Sequence, residues 1–203
     1  MSATPSTDAA TRPSLRRLLD GRAKPAEITQ FLDGLGPNER VEEVLSITGK
    51  GVGELYDAME GGQPASLDEL IPPDEKGTVI YEGRNSLPLF SRFQKRFTRG
   101  ENGIVVGYNH QTMSFVTGPG YFVVKPTIER GAHRNELVFD YTVPPPFEPT
   151  GWPRFKPNDA GLSRLVYGNM IDYCRRVARG VVVGKAYKGG VDQGAWFSLS
   201  RAV

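Results

Sequence analysis

Cysteine is almost missing from this chain: Cys174 is the only one in 203 residues, so an internal disulfide is excluded. Histidine is nearly as scarce, with only His110 and His133. Neither H-E-x-x-H nor C-x-x-C occurs, and these residues cannot make a usual zinc site by themselves. No metal and no cofactor is therefore expected. The G-x-S-x-G of serine hydrolases is also lacking. Gly49–Lys50–Gly51–Val52–Gly53 is not followed by the Lys-Ser/Thr of a phosphate loop, and the segment before it reads as helix, so it is a junction between helices. No run approaches 18 apolar residues, and no membrane-spanning helix is expected. Residues 1–12 show no basic stretch leading into an apolar one, which gives no secretory signal. With the lack of disulfides, this reads as a cytoplasmic protein.

Aromatic residues are scarce in one part only. Of 20, just Phe31 and Tyr56 lie before Gly77. Charge divides at the same place: residues 1–76 carry a net −6 and residues 77–203 a net +8. The expected organisation is a disordered tail over 1–13, an acidic helical appendage over 14–73 and a basic, aromatic-rich β domain over 77–203.

In the acidic part, Leu15, Leu18 and Leu19 form one apolar stripe. Pro25 opens a second helix with Ile28, Phe31, Leu32 and Leu35 on one face, and Gly34 and Gly36 end it. Pro37 and Glu39 open a third, carrying Val41, Val44 and Leu45. Val52, Leu55, Tyr56 and Met59 mark a fourth. Ser66 and Glu69 have capping-box spacing before Leu67, Leu70 and Ile71. Helices this short are not stable alone and must dock on something.

From Gly77 the period changes to two. Strands are expected at 78–82, 104–108, 113–117, 121–125, 136–142, 181–186 and 195–200, with a turn at Gly118–Pro119–Gly120. Leu89, Phe90, Phe93 and Phe97 have helical spacing, and one short helix is expected there. Residues 144–157 hold six prolines and Trp152 and read as an ordered surface loop. Residues 159–178 are ambiguous. A strand through Leu165, a turn at Gly168–Asn169 and a strand or single helical turn over 170–176 is the preferred reading. The fold class is α+β: mainly an antiparallel β-barrel, with a small N-terminal helical segment and one helix over the barrel mouth.

Candidate sites follow from this layout. On a helix, Arg92, Lys95, Arg96 and Arg99 would cluster beside the phenylalanines. Such a face suits an anionic membrane surface or ligand group. The blander reading is preferred, in which the cations are solvated or pair with the acidic helices. Tyr108, Asn109 and His110 form a polar and aromatic group between strands, and His110 could act as an acid or base. His133 belongs to a charged hairpin tip. Asp140 alternates with Phe139 and Tyr141, and the larger apolar set should face the core, turning Asp140 outward. Cys174 reads as structural. The aromatic residues alternate with apolar ones as a core does, and no RNP-like signature occurs, so no nucleic-acid partner is expected.

The stretch Met170–Ile171–Asp172–Tyr173–Cys174–Arg175–Arg176–Val177, followed by Val181–Val182–Val183–Gly184, resembles the closing part of the bacterial GXWXG lipocalin-like proteins. Gly77–Thr78–Val79–Ile80–Tyr81–Glu82–Gly83 occupies the place of their opening strand, without its tryptophan. The resemblance implies a calycin-type (lipocalin-like) barrel and no established chemistry.

The first functional expectation is a non-enzymatic protein that holds an apolar or aromatic small molecule or a lipid, in one version anionic, inside the barrel. Phe115, Tyr121, Phe139, Tyr141 and Phe197 would form its apolar lining, with Arg84, Tyr108, Asn109 and His110 at its polar end. The second is an isomerase, cyclase or lyase using the same cavity, with His110 and Asp140 as acid and base. The third is a protein- or membrane-surface interaction module built on a solid barrel. Hollow or filled is the question that divides them.

Overall fold

A computed structural model describes residues 13–88, 91–110, 118–127 and 133–202. The expected tail, apart from Pro13, lies outside these residues. So do Leu89, Phe90, Phe115 and the strand expected at 113–117.

The helices form where the apolar stripes and caps place them. They are α1 (Leu15–Asp20), α2 (Pro25–Asp33), α3 (Pro37–Ser46), α4 (Lys50–Ala58) and α5 (Leu67–Leu70). Ser14 accepts the amide of Arg17 at 3.3 Å, and Ser66 that of Glu69 at 3.1 Å, satisfying donors that each helix start leaves unpaired. Pro25 and Pro37 sit in first turns, where a missing amide costs nothing.

Eight strands follow: β1 (Val79–Asn85), β2 (Arg92–Arg99), β3 (Val105–His110), β4 (Tyr121–Pro126), β5 (Leu137–Asp140), β6 (Met170–Ala178), β7 (Val181–Lys188) and β8 (Val191–Ser200). Each pairs antiparallel with the next, and β1 pairs with β8, closing an up-and-down barrel. Closure removes every free sheet edge. A sixth helix, α6 (Ser163–Tyr167), lies between β5 and β6.

Two segments depart from the sequence expectation. Residues 92–99 form strand β2, not part of a helix. Phe90, Phe93 and Phe97 fit a helical period, but Phe93, Lys95 and Phe97 also fit a period of two, and pairing with β1 and β3 decides the matter. The four cations therefore share no helical face. Lys95 points into the barrel, and Arg92 and Arg96 lie on the alternate face. Arg99 donates to the carbonyls of Leu67 and Ile71 and meets Asp68 at 2.9 Å. Residues 163–167 form α6 where a strand was expected. Lys188 donates to the carbonyls of Arg164 and Leu165, a partner distant in sequence for carbonyls near the helix end.

The alternation creates two cores. Inside the barrel lie Tyr81, Phe97, Phe122, Val124, Phe139, Val182, Phe197 and Leu199. Outside it, Val177, Val181 and Val183 meet Leu15, Ile28, Leu32, Val44, Val52 and Leu55 from the helices. Arg40, only 3 % exposed, pins this joint by donating to the carbonyls of Leu32, Leu35 and Arg179. The opposed charges of the two parts meet directly at Arg99–Asp68 and Arg176–Glu69.

Both barrel ends are covered. Leu70 and Ile71 of the α5 region close the lower end, where the Tyr81 hydroxyl donates to the Leu70 carbonyl at 2.9 Å. At the upper end Tyr167 of α6 stacks on Tyr141 at 5.6 Å between ring centres. Eight strands give an interior that side chains can just fill, and aromatic rings fill it here. Gly184 makes room for one of them: a Cβ there would lie 2.2 Å from the ring of Phe197. A cavity at the lower rim measures about 10 Å³, room for one water at most.

Candidate functional site: a polar cluster inside the aromatic barrel

β2 carries Phe93, Lys95 and Phe97 inward in succession. The ammonium of Lys95 thereby enters the aromatic interior, 4.7 Å from the ring centre of Phe197 and 4.8 Å from that of Phe122. Attraction to the ring faces recovers part of the hydration it loses. Its three protons have three acceptors: Asn109 Oδ1 at 2.9 Å, Asp172 Oδ2 at 3.3 Å and the Tyr141 hydroxyl. The Tyr141 hydroxyl donates to Asp172 Oδ2 at 3.1 Å and accepts from Asn109 Nδ2 at 3.2 Å. Asn109 Nδ2 also donates to the Gly120 carbonyl at 3.3 Å.

The four groups come from β2, β3, the end of β5 and β6, so barrel closure is what assembles them. Burial pushes the Lys95 ammonium below its ordinary range, against the pull of Asp172. It pushes the Asp172 carboxyl up, against Lys95 and the Tyr141 hydroxyl. Burial likewise raises Tyr141 and the neighbouring Cys174 thiol. Burial thus acts against the charged form of both partners, and their mutual attraction acts for it.

Tyr141 also forms part of the barrel mouth. A cleft of about 350 Å³ there is lined by Tyr141, Thr142, Val143, Pro144, Phe155, Pro157, Asn158, Asp159 and Asn169. Asn158 ties the cover down by donating to the carbonyls of Tyr121 and Tyr141, both at 2.8 Å. Its Oδ1 is buried with no donor among the described residues. Replacing Asn158 by Ala should lower stability by about 1–3 kcal/mol, since two buried carbonyls lose their donor. Amide exchange across residues 158–169 should rise; unchanged protection there would contradict this role.

The residues expected at a site divide between two places. Asn109, Phe139, Tyr141 and Phe197 line the interior around Lys95. Arg84, Tyr108, His110 and Tyr121 lie on the outer side of the wall. Arg84 donates to the Leu45 carbonyl on α3. Tyr108 and Tyr121 stack at 5.6 Å under Trp152, and the Tyr121 hydroxyl donates to the Pro153 carbonyl. His110 lies edge-on to Tyr108, and burial together with Arg96 lowers its ring pKa.

Asp140 faces outward and pairs with Lys125 at 2.8 Å; this pairing and the Thr142 hydrogen bonds outweigh burial and lower its pKa. It sits beside Val123, which pairs with Val106, four residues before His110 along β3. That separation is roughly 13 Å, so one substrate atom would not meet both groups. His133 stacks on Tyr173 at 3.7 Å and bonds Glu136, an outer cluster that also holds Arg175 and Tyr56.

Nothing local in the sequence marks Lys95 or Asp172 as interior: Lys95 belongs to a run of cations with helical spacing, and Asp172 stands out only in the stretch that carries the family resemblance. The available signal was Phe93–Lys95–Phe97, a cation flanked at period two by rings that had to be buried.

Among the described residues no three His, Cys, Asp or Glu side chains gather as metal ligands, and no helix is long and apolar enough to cross a membrane. No family model, curated protein or solved structure matches this chain.

Proposed function

We propose that this chain is a small-molecule-binding barrel whose site is the Lys95 cluster and the mouth cleft next to it. The observation that carries the reading is the full enclosure of a lysine ammonium in a phenylalanine cage. A buried ion pair is commonly no more stabilising than hydrocarbon of the same volume, so stability alone gives little reason for it. The calycin-type reading of the sequence agrees with such a role.

The ligand is an apolar or aromatic molecule with one polar end. A basic helical face would favour an anionic ligand, and β2 supplies no such face. Asp172 already balances Lys95, so a carboxylate would have to compete with it. A neutral oxygen acceptor needs no such exchange. Because the interior is filled, the ligand enters from the mouth. Its body occupies the cleft, and its polar end takes the place of the Tyr141 hydroxyl as that ring swings outward. Leu87, Leu162 and Leu165 in connections at this end, and Val191 at the start of β8, are all exposed and offer an apolar approach.

Naphthalen-2-ylmethanol, a flat aromatic alcohol, is a suitable probe. Saturable binding near one per chain, weakened about tenfold or more by Asn109→Leu, corresponds to loss of a buried polar contact. Absence of saturable binding to wild-type protein, or equal binding to a folded Asn109→Leu variant, would overturn the reading.

A further inference from the structure

We infer that Lys95 is a covalent capture site for a carbonyl compound, forming an imine with an aromatic aldehyde or ketone. This deepens the binding reading and rests on it.

The geometry supplies each requirement. The nucleophile must be a free amine, and the proton it gives up needs a place close by. Asp172 Oδ2 lies 3.3 Å from Lys95 Nζ. The acceptor oxygen must be polarised as the C–N bond forms. The Tyr141 hydroxyl marks a position that already receives hydrogen bonds from Lys95 and Asn109. A carbonyl oxygen placed there meets the Asn109 amide while its carbon faces Nζ. The imine must be kept from water, and Phe93, Phe122, Phe139 and Phe197 surround the nitrogen. The burial shifts described above act in the same direction, because burial opposes the charged form of both groups and so eases proton transfer from Lys95 to Asp172.

The step balances without a further reagent. Lys95 first passes one proton to Asp172. The amine lone pair then forms the C–N bond, and the carbonyl π pair moves to oxygen, which takes the proton from Asp172. The nitrogen returns one proton to Asp172, giving the neutral carbinolamine. Asp172 next protonates the hydroxyl, which departs as water while the nitrogen lone pair forms the C=N bond. The remaining N–H proton leaves the resulting iminium for Asp172. Amine and carbonyl have become imine and water, and no electrons are gained or lost. Asp172 is the proton carrier, and Asn109 positions the oxygen.

The full chain is incubated with 2-naphthaldehyde and cyanoborohydride at neutral pH, and the adduct is mapped by peptide mass spectrometry. The chain has eight lysines, so each is its own control. Expected is a reduced adduct at Lys95, formed about tenfold faster than at any exposed lysine, as an amine held beside a bound carbonyl and its proton acceptor should give. Naphthalen-2-ylmethanol should block it. A folded Asp172→Asn variant should slow trapping, because the step loses its proton carrier, and shift its pH profile downward, because Lys95 loses the carboxylate that holds its proton in place. Label confined to exposed lysines, or no label, overturns the inference. If the alcohol binds and the aldehyde is not trapped at Lys95, the imine fails and the binding reading stands. If neither binds, both fail. Wild-type mapping decides even where a variant does not fold.

Discussion

Replacing Lys95 by Met should destabilise the protein by about 3–5 kcal/mol at neutral pH, the usual cost of stranding one partner of a buried ion pair. For a chain of this length that is a fall in melting temperature of roughly 6–20 °C. The side chain is lost from a full interior, but Met nearly replaces its volume. The cost lies in Asp172, left among rings with only Tyr141 to hold its charge. The pH dependence follows from sign. Burial raises the Asp172 carboxyl, and without Lys95 nothing cationic opposes that rise. A raised carboxyl contributes stability that is present below its unfolded value of about 4 and is lost as pH climbs through the folded value. The deficit of Lys95→Met against wild type should therefore be larger at pH 7 than at pH 5.

Asp172→Leu should show the opposite trend. Burial lowers the Lys95 ammonium. A lowered lysine contributes stability that is present above its unfolded value of about 10.4 and is lost as pH falls through the folded value. This deficit should shrink as pH rises towards 10. Lys95→Met combined with Asp172→Leu should be close to wild type or more stable, since both charges are gone. Chemical denaturation of the four proteins across pH checks all three statements. A double variant as unstable as the sum of the singles would show that the cluster is not an isolated pair.

Deleting residues 1–76 has the other large expected effect: no folded barrel. The deletion uncovers Val177, Val181 and Val183 on the outer wall and removes Leu70 and Ile71 from the lower end. It takes away the acceptor of the Tyr81 hydroxyl and the partners of Arg99. Each fully buried aliphatic side chain is worth about 1.5–3 kcal/mol. Ten or more leave with this segment, and the apolar wall and lower end that they cover are left facing water. Aggregation, or a state with strand content but no sharp unfolding transition, is expected. A monomeric 77–203 fragment that unfolds cooperatively would show instead that the helices are a separable module.

What the sequence made legible follows from how local each signal was. Helices α1 to α5 are marked by stripes, prolines and caps within a single turn or two, and they stand where those signals are. The turn to period two after Gly77 likewise marks the barrel strands. The signal failed where two periods coincide. Phe90, Phe93 and Phe97 satisfy a helix as well as a strand, and only the β1 and β3 partners separate them. α6 is a single turn held by Lys188 from a distant strand; Leu162, Leu165 and Val166 have helical spacing, but Gly168 and the β-branched and aromatic residues beside them suit a strand as well. The site was harder still. Lys95, Asn109, Tyr141 and Asp172 lie up to 77 positions apart, and each looks ordinary beside its sequence neighbours. Asn109 reads as a polar residue between strands and Tyr141 as an apolar lining ring, and neither signal joins them to Lys95. Lys95 stands out only for its charge, which points to a surface, because a lysine is rarely interior.

The measurement closest to the central claim is NMR of the lysine side chains during titration with naphthalen-2-ylmethanol. Lys95 is enclosed by rings, so its Hε and Nζ signals should stand apart from those of the exposed lysines. Binding at the buried cluster should shift the Lys95 signals saturably and leave the others in place. Shifts confined to surface lysines or to the outer Tyr108–Trp152 cluster, with Lys95 unmoved, would contradict the account.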